Sequence, residues 1–487
     1  MAALAEGAMV VDPEVDLSDT DGVAEIWNPA DVGEQVGVYP RLHPGHVDRV
    51  VASAGRAFPS WSALGPFERL AAVREAGNAV GPGDGLAELL VREQGKTVAE
   101  ATGEFGYYGM AVTFAEDKLA LLAEPEVLGD NGAGRAWVYR RPFGVVGIIT
   151  PWNRPFSLSV TGVVPALLAG NTVVLAVAPT APLSTLKAFA TVAAGLPPGV
   201  LSVVTGPGDV VAQRLVDHPQ VRKISFTGSV ATGQEVTRRS AVNLKSLTLE
   251  LGGNDAAIVL DDTPATPALY RRLVEGTFMS SGQVCMAIKR LYVPRARLEP
   301  IVDELAALLD QMVVGDGLDP DTTLGPVHMA SQRARLEDLI TDARERGGAV
   351  RQFGDLRGDP ERGFFVRPTL VTGLEQDAPL VQEEQFGPVL PVIGYDTVDE
   401  AVSAANASEF GLSSSVWSAD EDRAREVAVR LEAGATFINS HGVFSVDRRA
   451  PFGGMKQSGA GRMSGRWALE SFCELHTVSI RNSATFD

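Results

Sequence analysis

The chain is 487 residues long and 45% apolar, enough for two or three domains, each with a core of its own. Its 61 acidic and 42 basic side chains leave a net charge of -19, which repels phosphate backbones and anionic lipid and argues against nucleic acid or membrane partners. Cys285 and Cys473 are the only cysteines and stand far apart, which argues against a disulfide framework or a zinc cluster, predicts no metal, and fits a reducing cytoplasm.

The opening "MAALAEGAMVVDPEVDLSDTDG" lacks the basic region and long apolar core of a secretory signal and reads as a solvated tail. Residues 45 to 122 carry helical patterns, "FERLAAVREAGNAV" and then "LAELLVREQGKTVAEA", expected to pack outside the first sheet. From about residue 137, short β-rich runs ("VVGII", "TVVLAVA", "LSVV", "RKISF", "LTLEL", "AAIVL") alternate with helices predicted over 156–169, 182–195, 208–217 and 229–240. That rhythm predicts a doubly wound parallel α/β sheet. The one long apolar run, "LSVTGVVPALLAGNTVVLAVAP", is cut by Pro165 and by Gly170-Asn171 and is not read as a membrane span. A second series begins near 266 with a helix up to Ser281, the strand "KRLYV", and helices over 297–313 and 328–347, and it predicts a second α/β domain. The final "CELHTVSIR" reads as an isolated strand, expected to find its partner edge on another subunit.

A doubly wound sheet invites a nucleotide at the carboxyl ends of its strands. The familiar glycine fingerprint is absent: "TGPGDVV" puts Val211 where the third glycine belongs. In "ISFTGSVATGQEV" a strand runs through Thr227-Gly228-Ser229 into a helix, whose first amides can face a pyrophosphate, or Ser229 simply caps the helix. In "IITPWNRPF" a strand ends at Pro151-Trp152-Asn153, and an amide there can donate to an oxyanion, although a lone Asn more often only makes the turn. "LTLELGGN" sets Glu250 at the end of an apolar strand, where burial raises a carboxyl toward the range of a general base, unless it is a surface glutamate. Cys285 in "GQVC" follows a helix end, and its thiol is either inert core or the strongest nucleophile available at neutral pH. Amide, carboxylate and thiol all fall at segment ends of one chain, and that coincidence favours chemistry.

The same residues resemble the NAD(P)-dependent aldehyde dehydrogenase superfamily. The resemblance runs in order from "NPADVGE" through "PWNRP", "FTGS", "LELGGN", "GQVC", "LGPV" and "EEQFGPVLPV" to "PFGGMKQSGAGR", across nearly the whole chain. It implies a dinucleotide-binding domain of residues 1–124 and 144–253 with 452–468, a catalytic thiol domain of 254–451, and an oligomerisation element of 125–143 and 469–487 that serves a homodimer or homotetramer. It implies that Cys285 attacks an aldehyde, that Asn153 and the Cys285 amide hold the oxyanion, and that Glu250 activates the water that hydrolyses the thioester. NAD or NADP would lie along Ile149, Thr150, Pro151, Trp152, Gly208, Phe226, Gly228, Ser229, Leu251 and Gly252, with Glu384 and Phe386 at the nicotinamide ribose and ring.

Two departures from the family pattern bear on function. Ala176 and Pro179 stand where a lysine and an acidic residue grip the adenosine ribose, a loss of about 2 to 4 kcal/mol, or roughly 30- to 1000-fold in affinity. Met463 stands where glutamate often follows the late glycine motif. Arg154, directly after Asn153, meets either a polar substrate, solvent or a local carboxylate, and Ser157 and Thr161 leave room beside it. The departures keep open a redox-independent thiol esterase or acyltransferase on the same fold, and, behind it, a scaffold without activity.

Overall fold

The structure, a computed structural model, describes residues 15–481 apart from 17, 82, 84 and 130–133. Most of the expected N-terminal tail, and residues 130–133 of the expected 125–143 hairpin, lie outside the described residues. The first large sheet contains β1 (Val145–Ile149), β2 (Thr172–Ala176), β3 (Leu201–Val204), β4 (Val221–Thr227) and β5 (Ser246–Glu250). These strands are parallel and ordered β5-β4-β1-β2-β3, with the antiparallel two-residue strand Gly459–Ala460 on the β5 edge. β1, β2 and β3 are buried at every position, which is why they read as unbroken aliphatic runs: helices cover both faces of the sheet.

The helices predicted between these strands are α1 (Pro155–Leu168), α2 (Leu183–Ala194), α3 (Val211–Asp217) and α4 (Val230–Ser240). Strand order reverses at β1, because the chain winds outward through β2 and β3 and then returns to β4 and β5 on the other side. A crevice therefore opens beyond the carboxyl ends of β1 and β4, the place where such sheets receive ligands.

A second, seven-stranded sheet runs from Asp255–Val259 to Ala435–Ile438, parallel except for the edge strand Ala349–Gln352. Its strand Ile288–Pro294 follows Cys285 directly.

Three expectations are corrected. "LAELLVREQGKTVAEA" is two helices, Leu86–Gln94 and Val98–Phe105, because Gly95 takes φ 99° against Pro29 and Pro326, where a side chain cannot fit. The helix expected to reach Ser281 is Pro267–Phe278 and stops there, since Ser280 and Ser281 turn left-handed at φ 51° and 57°. The terminal strand Cys473–Arg481 is not isolated: it pairs antiparallel with the chain's own Gly134–Pro142, which in turn pairs with Glu126–Leu128.

Candidate active site

The loop between Phe278 and Ile288 delivers the thiol. Its two left-handed serines are held from outside: Ser280 N donates to Glu100 Oε1 at 2.6 Å and Ser281 Oγ donates to Gly325 O at 2.8 Å. Non-glycine residues in this conformation cost free energy, and the neighbouring contacts keep the loop in it. Cys285 then lies half-buried against Val284, Met286, Leu412 and Phe452, and burial pushes its thiol up to about 12, opposed by the Lys289 charge. At rest the thiol is protonated. Lys289 is buried, and its Nζ donates to Val284 O at 2.9 Å and Cys285 O at 2.5 Å and lies 3.5 Å from Glu384 Oε1.

Asn153 follows β1, at the point where the sheet changes direction. Its Nδ2 donates to Gln283 O at 2.9 Å, which ties the amide to the thiol loop and leaves its second N–H for another acceptor. A buried ion pair fixes the backbone around it: Lys96 Nζ donates to Asn153 O at 3.0 Å and to Glu104 Oε2 at 2.5 Å. Glu104 Oε1 accepts from the amides of Phe156 and Ser157 at 3.0 and 3.1 Å, capping the start of α1 with a carboxylate.

Glu250 ends β5. It is only 7% exposed, and neither carboxylate oxygen has a hydrogen-bond partner among the described residues. Burial raises its pKa well above the ordinary value, with Arg462 opposing, and its charge in turn raises that of the Cys285 thiol. A buried carboxyl with no partner and a raised pKa is a candidate for proton transfer.

Two continuous clefts meet here. One, of about 460 Å3, is lined by Pro151, Trp152, Asn153, Gly228, Ser229, Leu251, Gly252, Cys285, Glu384 and Phe386. The other, of about 640 Å3, continues along Ile149, Thr150, Gly208 and Phe226 to Ala176 and Pro179. Every residue expected to contact the cofactor lines one of them.

Their walls fit a dinucleotide. Side chains are excluded where backbone would have to approach: a Cβ on Gly228 would sit 2.5 Å from the Phe226 ring, and one on Gly252 2.3 Å from Glu384 Oε2. The first-turn amides of α4 face the junction, while Ser229 Oγ also caps the helix by accepting from Thr232 N at 3.3 Å, so both roles weighed for Ser229 are open to it. Trp152 stacks on His328 at 4.5 Å between centroids and meets Phe386 edge-on at 5.6 Å, giving an aromatic wall beside the thiol. At the far end Ala176 is buried and Pro179 offers only a carbonyl, already accepting from Tyr39 Oη at 2.8 Å. The one cation lining that end, Arg239, is held by Glu235 and Asp217 at 2.7 Å each.

Sequence reasoning missed Lys96, Glu104, Glu100 and Lys289 as supports of the site. Their partners lie 4 to 180 positions away in the chain, and no local motif marks them.

Comparison with known proteins agrees with this geometry. Residues 17–478 match the model of the aldehyde dehydrogenase family. The chain is 35% identical over 459 residues to succinate-semialdehyde dehydrogenase [NADP(+)] GabD of Escherichia coli, covering 94% of each. It is 36% identical over 493 residues to betaine aldehyde dehydrogenase of Rhizobium leguminosarum bv. trifolii, covering 99% of this chain and 98% of that one. Betaine aldehyde dehydrogenase from Staphylococcus aureus, solved in complex with NAD+, superimposes with a TM-score of 0.89 at 29% identity, over 97% of this chain and 94% of that one. With the thiol and the amide lining a cleft that fits a dinucleotide, the chain belongs to the aldehyde dehydrogenase family and is an NAD(P)-dependent enzyme that oxidises an aldehyde to a carboxylic acid.

Proposed function

We propose that Cys285 is the nucleophile of this oxidation, Asn153 its oxyanion donor and Glu250 its general base. The observation that carries the assignment is Glu250, a buried carboxyl with no partner of its own, within electrostatic reach of the thiol. As the Cys285 sulfur bonds to the carbonyl carbon, the thiol proton is released to solvent and the new oxyanion accepts from the free Asn153 N–H and the Cys285 amide. Bound along Trp152, Gly228, Glu384 and Phe386, a nicotinamide supplies the two-electron acceptor that makes the product an acid. Glu250, in its ionised form, then takes a proton from water, the hydroxide adds to the thioester carbon, the C–S bond breaks, and the leaving thiolate takes that proton back from Glu250. Nothing observed favours a redox-independent esterase: the dinucleotide walls are retained and only the ribose grip is reduced.

The far end of the cleft supports NAD over NADP, because Asp209 and Glu235 line it and its one cation is already paired, leaving nothing to meet a 2′-phosphate. We further assign residues 1–124 and 144–253 with 452–468 to dinucleotide binding, 254–451 to the thiol domain, and 125–143 with 469–487 to assembly as a homodimer or homotetramer. Leu475, Val478 and Ile480 are exposed on that last sheet, an apolar surface that favours being covered. Two free cysteines fit a reducing cytoplasm. The relatives' names span an anionic and a cationic aldehyde, so they do not choose this chain's substrate. The test is absorbance of reduced nicotinamide with NAD or NADP across a panel of aldehydes, and no turnover with either cofactor refutes the assignment.

A further inference from the structure

The side of the thiol away from the aromatic wall has a composition of its own. Along α1 most side chains near the start are buried, and the half-buried ones are Leu158 and Thr161. Together with Arg154 they fall at intervals of four and three, so they form one stripe along the helix. Leu158 lines the cleft that contains Cys285, and Thr161, one turn on, lines a separate small pocket with Tyr107 and Arg448. The stripe thus runs from the thiol to Tyr107 and Arg448, about 10 Å of helix.

Arg448 belongs to the same covering segment whose Val443, Val446 and Phe452 pack with Cys285. Its Nη1 donates to Tyr107 Oη at 2.8 Å, and its guanidinium lies 4.8 Å from the centre of that ring. Arg154 makes one side-chain hydrogen bond among the described residues, Nε to Ser157 Oγ at 3.3 Å. Neither arginine forms an ion pair among those residues. The nearby carboxylate, Glu104, is engaged by Lys96 and two amides, and Asp447 is engaged by Arg449. The charges of both Arg448 and Arg154 reach Tyr107, opposing the burial that raises its pKa. Lys96 and Arg154 thus share the charge of Glu104, and Arg448 has no carboxylate partner among the described residues, in a chain whose net charge is -19. Half-buried guanidiniums with unused donors match the fork of a carboxylate.

We propose that Arg154 and Arg448, joined through Tyr107, bind a carboxylate at the far end of the substrate, and that the enzyme is selective for aldehydes carrying a second, ionised acid group. This rests on the assignment of Cys285 above. The holoenzyme with saturating NAD is tested on 4-oxobutanoate against butanal, and on 5-oxopentanoate against pentanal, at low and high salt. In each pair the oxo acid is expected to have the higher kcat/KM by roughly 10- to 100-fold, through KM, with the advantage shrinking as salt rises. Arg448→Gln and Arg154→Gln are each expected to bring the ratio toward unity, and butanedioate to inhibit wild-type oxidation of butanal competitively. Equal kcat/KM for acid and neutral aldehyde in the wild type overturns the proposal without any variant, and so does a ratio that survives both substitutions. No turnover of any of the four aldehydes instead strikes the Cys285 assignment, so the two failures are distinguishable.

Discussion

Lys289→Met removes the clamp beneath the nucleophile. In the wild type the ammonium, 2% exposed, donates to Val284 O and Cys285 O and stands 3.5 Å from Glu384 Oε1, which also accepts from Gly253 N at 3.0 Å. Methionine fills a similar volume but leaves two carbonyls without their donor and the half-buried Glu384 without its cation. Each charged hydrogen bond is worth about 1.5 to 3 kcal/mol, and breaking one side of a buried pair costs about 3 to 5 kcal/mol. These figures describe overlapping contacts, so about 3 to 5 kcal/mol is the whole expected loss. For a domain of about 150–250 residues that lowers Tm by about 6 to 20 °C. The thiol changes as well, since the Lys289 charge is what opposes burial in setting its acidity. Without it, alkylation by iodoacetamide at a fixed pH slows on the order of tenfold, about one pKa unit. Thermal unfolding and the pH dependence of alkylation, both without substrate, check the two halves. A variant that melts within about 2 °C of wild type and alkylates at the wild-type rate refutes the reasoning.

Glu250→Gln is expected to leave the first turnover as a burst of reduced nicotinamide and to cut the steady state by about 10²- to 10⁴-fold, read by stopped flow. The folded-state pKa of Glu250 lies above its unfolded one, so the wild type loses stability as pH rises from the unfolded value, near 4.5, through the folded value. Denaturant melts from acid to neutral pH should then show the Gln variant gaining on wild type as pH increases. Ala176→Lys restores a donor at the ribose and is expected to tighten dinucleotide binding by about 10- to 100-fold in calorimetric titration, with the larger gain for NADP.

How much was legible follows from the range of the interactions involved. β1 and β2 are short aliphatic runs and β4 is a short strand with Val, Ile and Phe among polar residues, each with turns at its ends, so the strands, the switch point and the positions of Asn153, Glu250 and Gly228 beside it are local information. The helix break at Gly95 was also written locally, but a helical pattern on both sides of one glycine hid it. The left-handed Ser280 and Ser281 were not legible, because their conformation is held by Glu100 and Gly325, far away in the chain. For the same reason Lys96 and Glu104 could not be singled out, while Lys289 bonds carbonyls only four and five residues away but carries no motif that marks it. A buried cation is recognisable only when the carbonyls and carboxylates it satisfies are seen around it. The terminal strand had its partner in Gly134–Pro142, more than 300 residues earlier, a register no local pattern specifies.

These supports share a physical logic. The proposed nucleophile and base come from different parts of the chain's architecture: Glu250 ends a strand of the first sheet, whereas Cys285 leads into the second. Chemistry between them requires the seam to stay fixed, yet both are acids that burial drives toward the neutral form, so they attract each other little at rest. Alignment must therefore come from other groups. Lys96 and Glu104 fix the backbone of Asn153, the Asn153 amide ties that strand end to Gln283, and Lys289 fixes the carbonyls of Val284 and Cys285 while reaching Glu384. Each clamp is a charge whose desolvation is offset only in the folded arrangement, so displacing the loop by even one hydrogen bond leaves a buried ion unpaired. That penalty keeps two weakly interacting groups in register until a carbonyl arrives between them, and it assigns rigidity and reactivity to different residues.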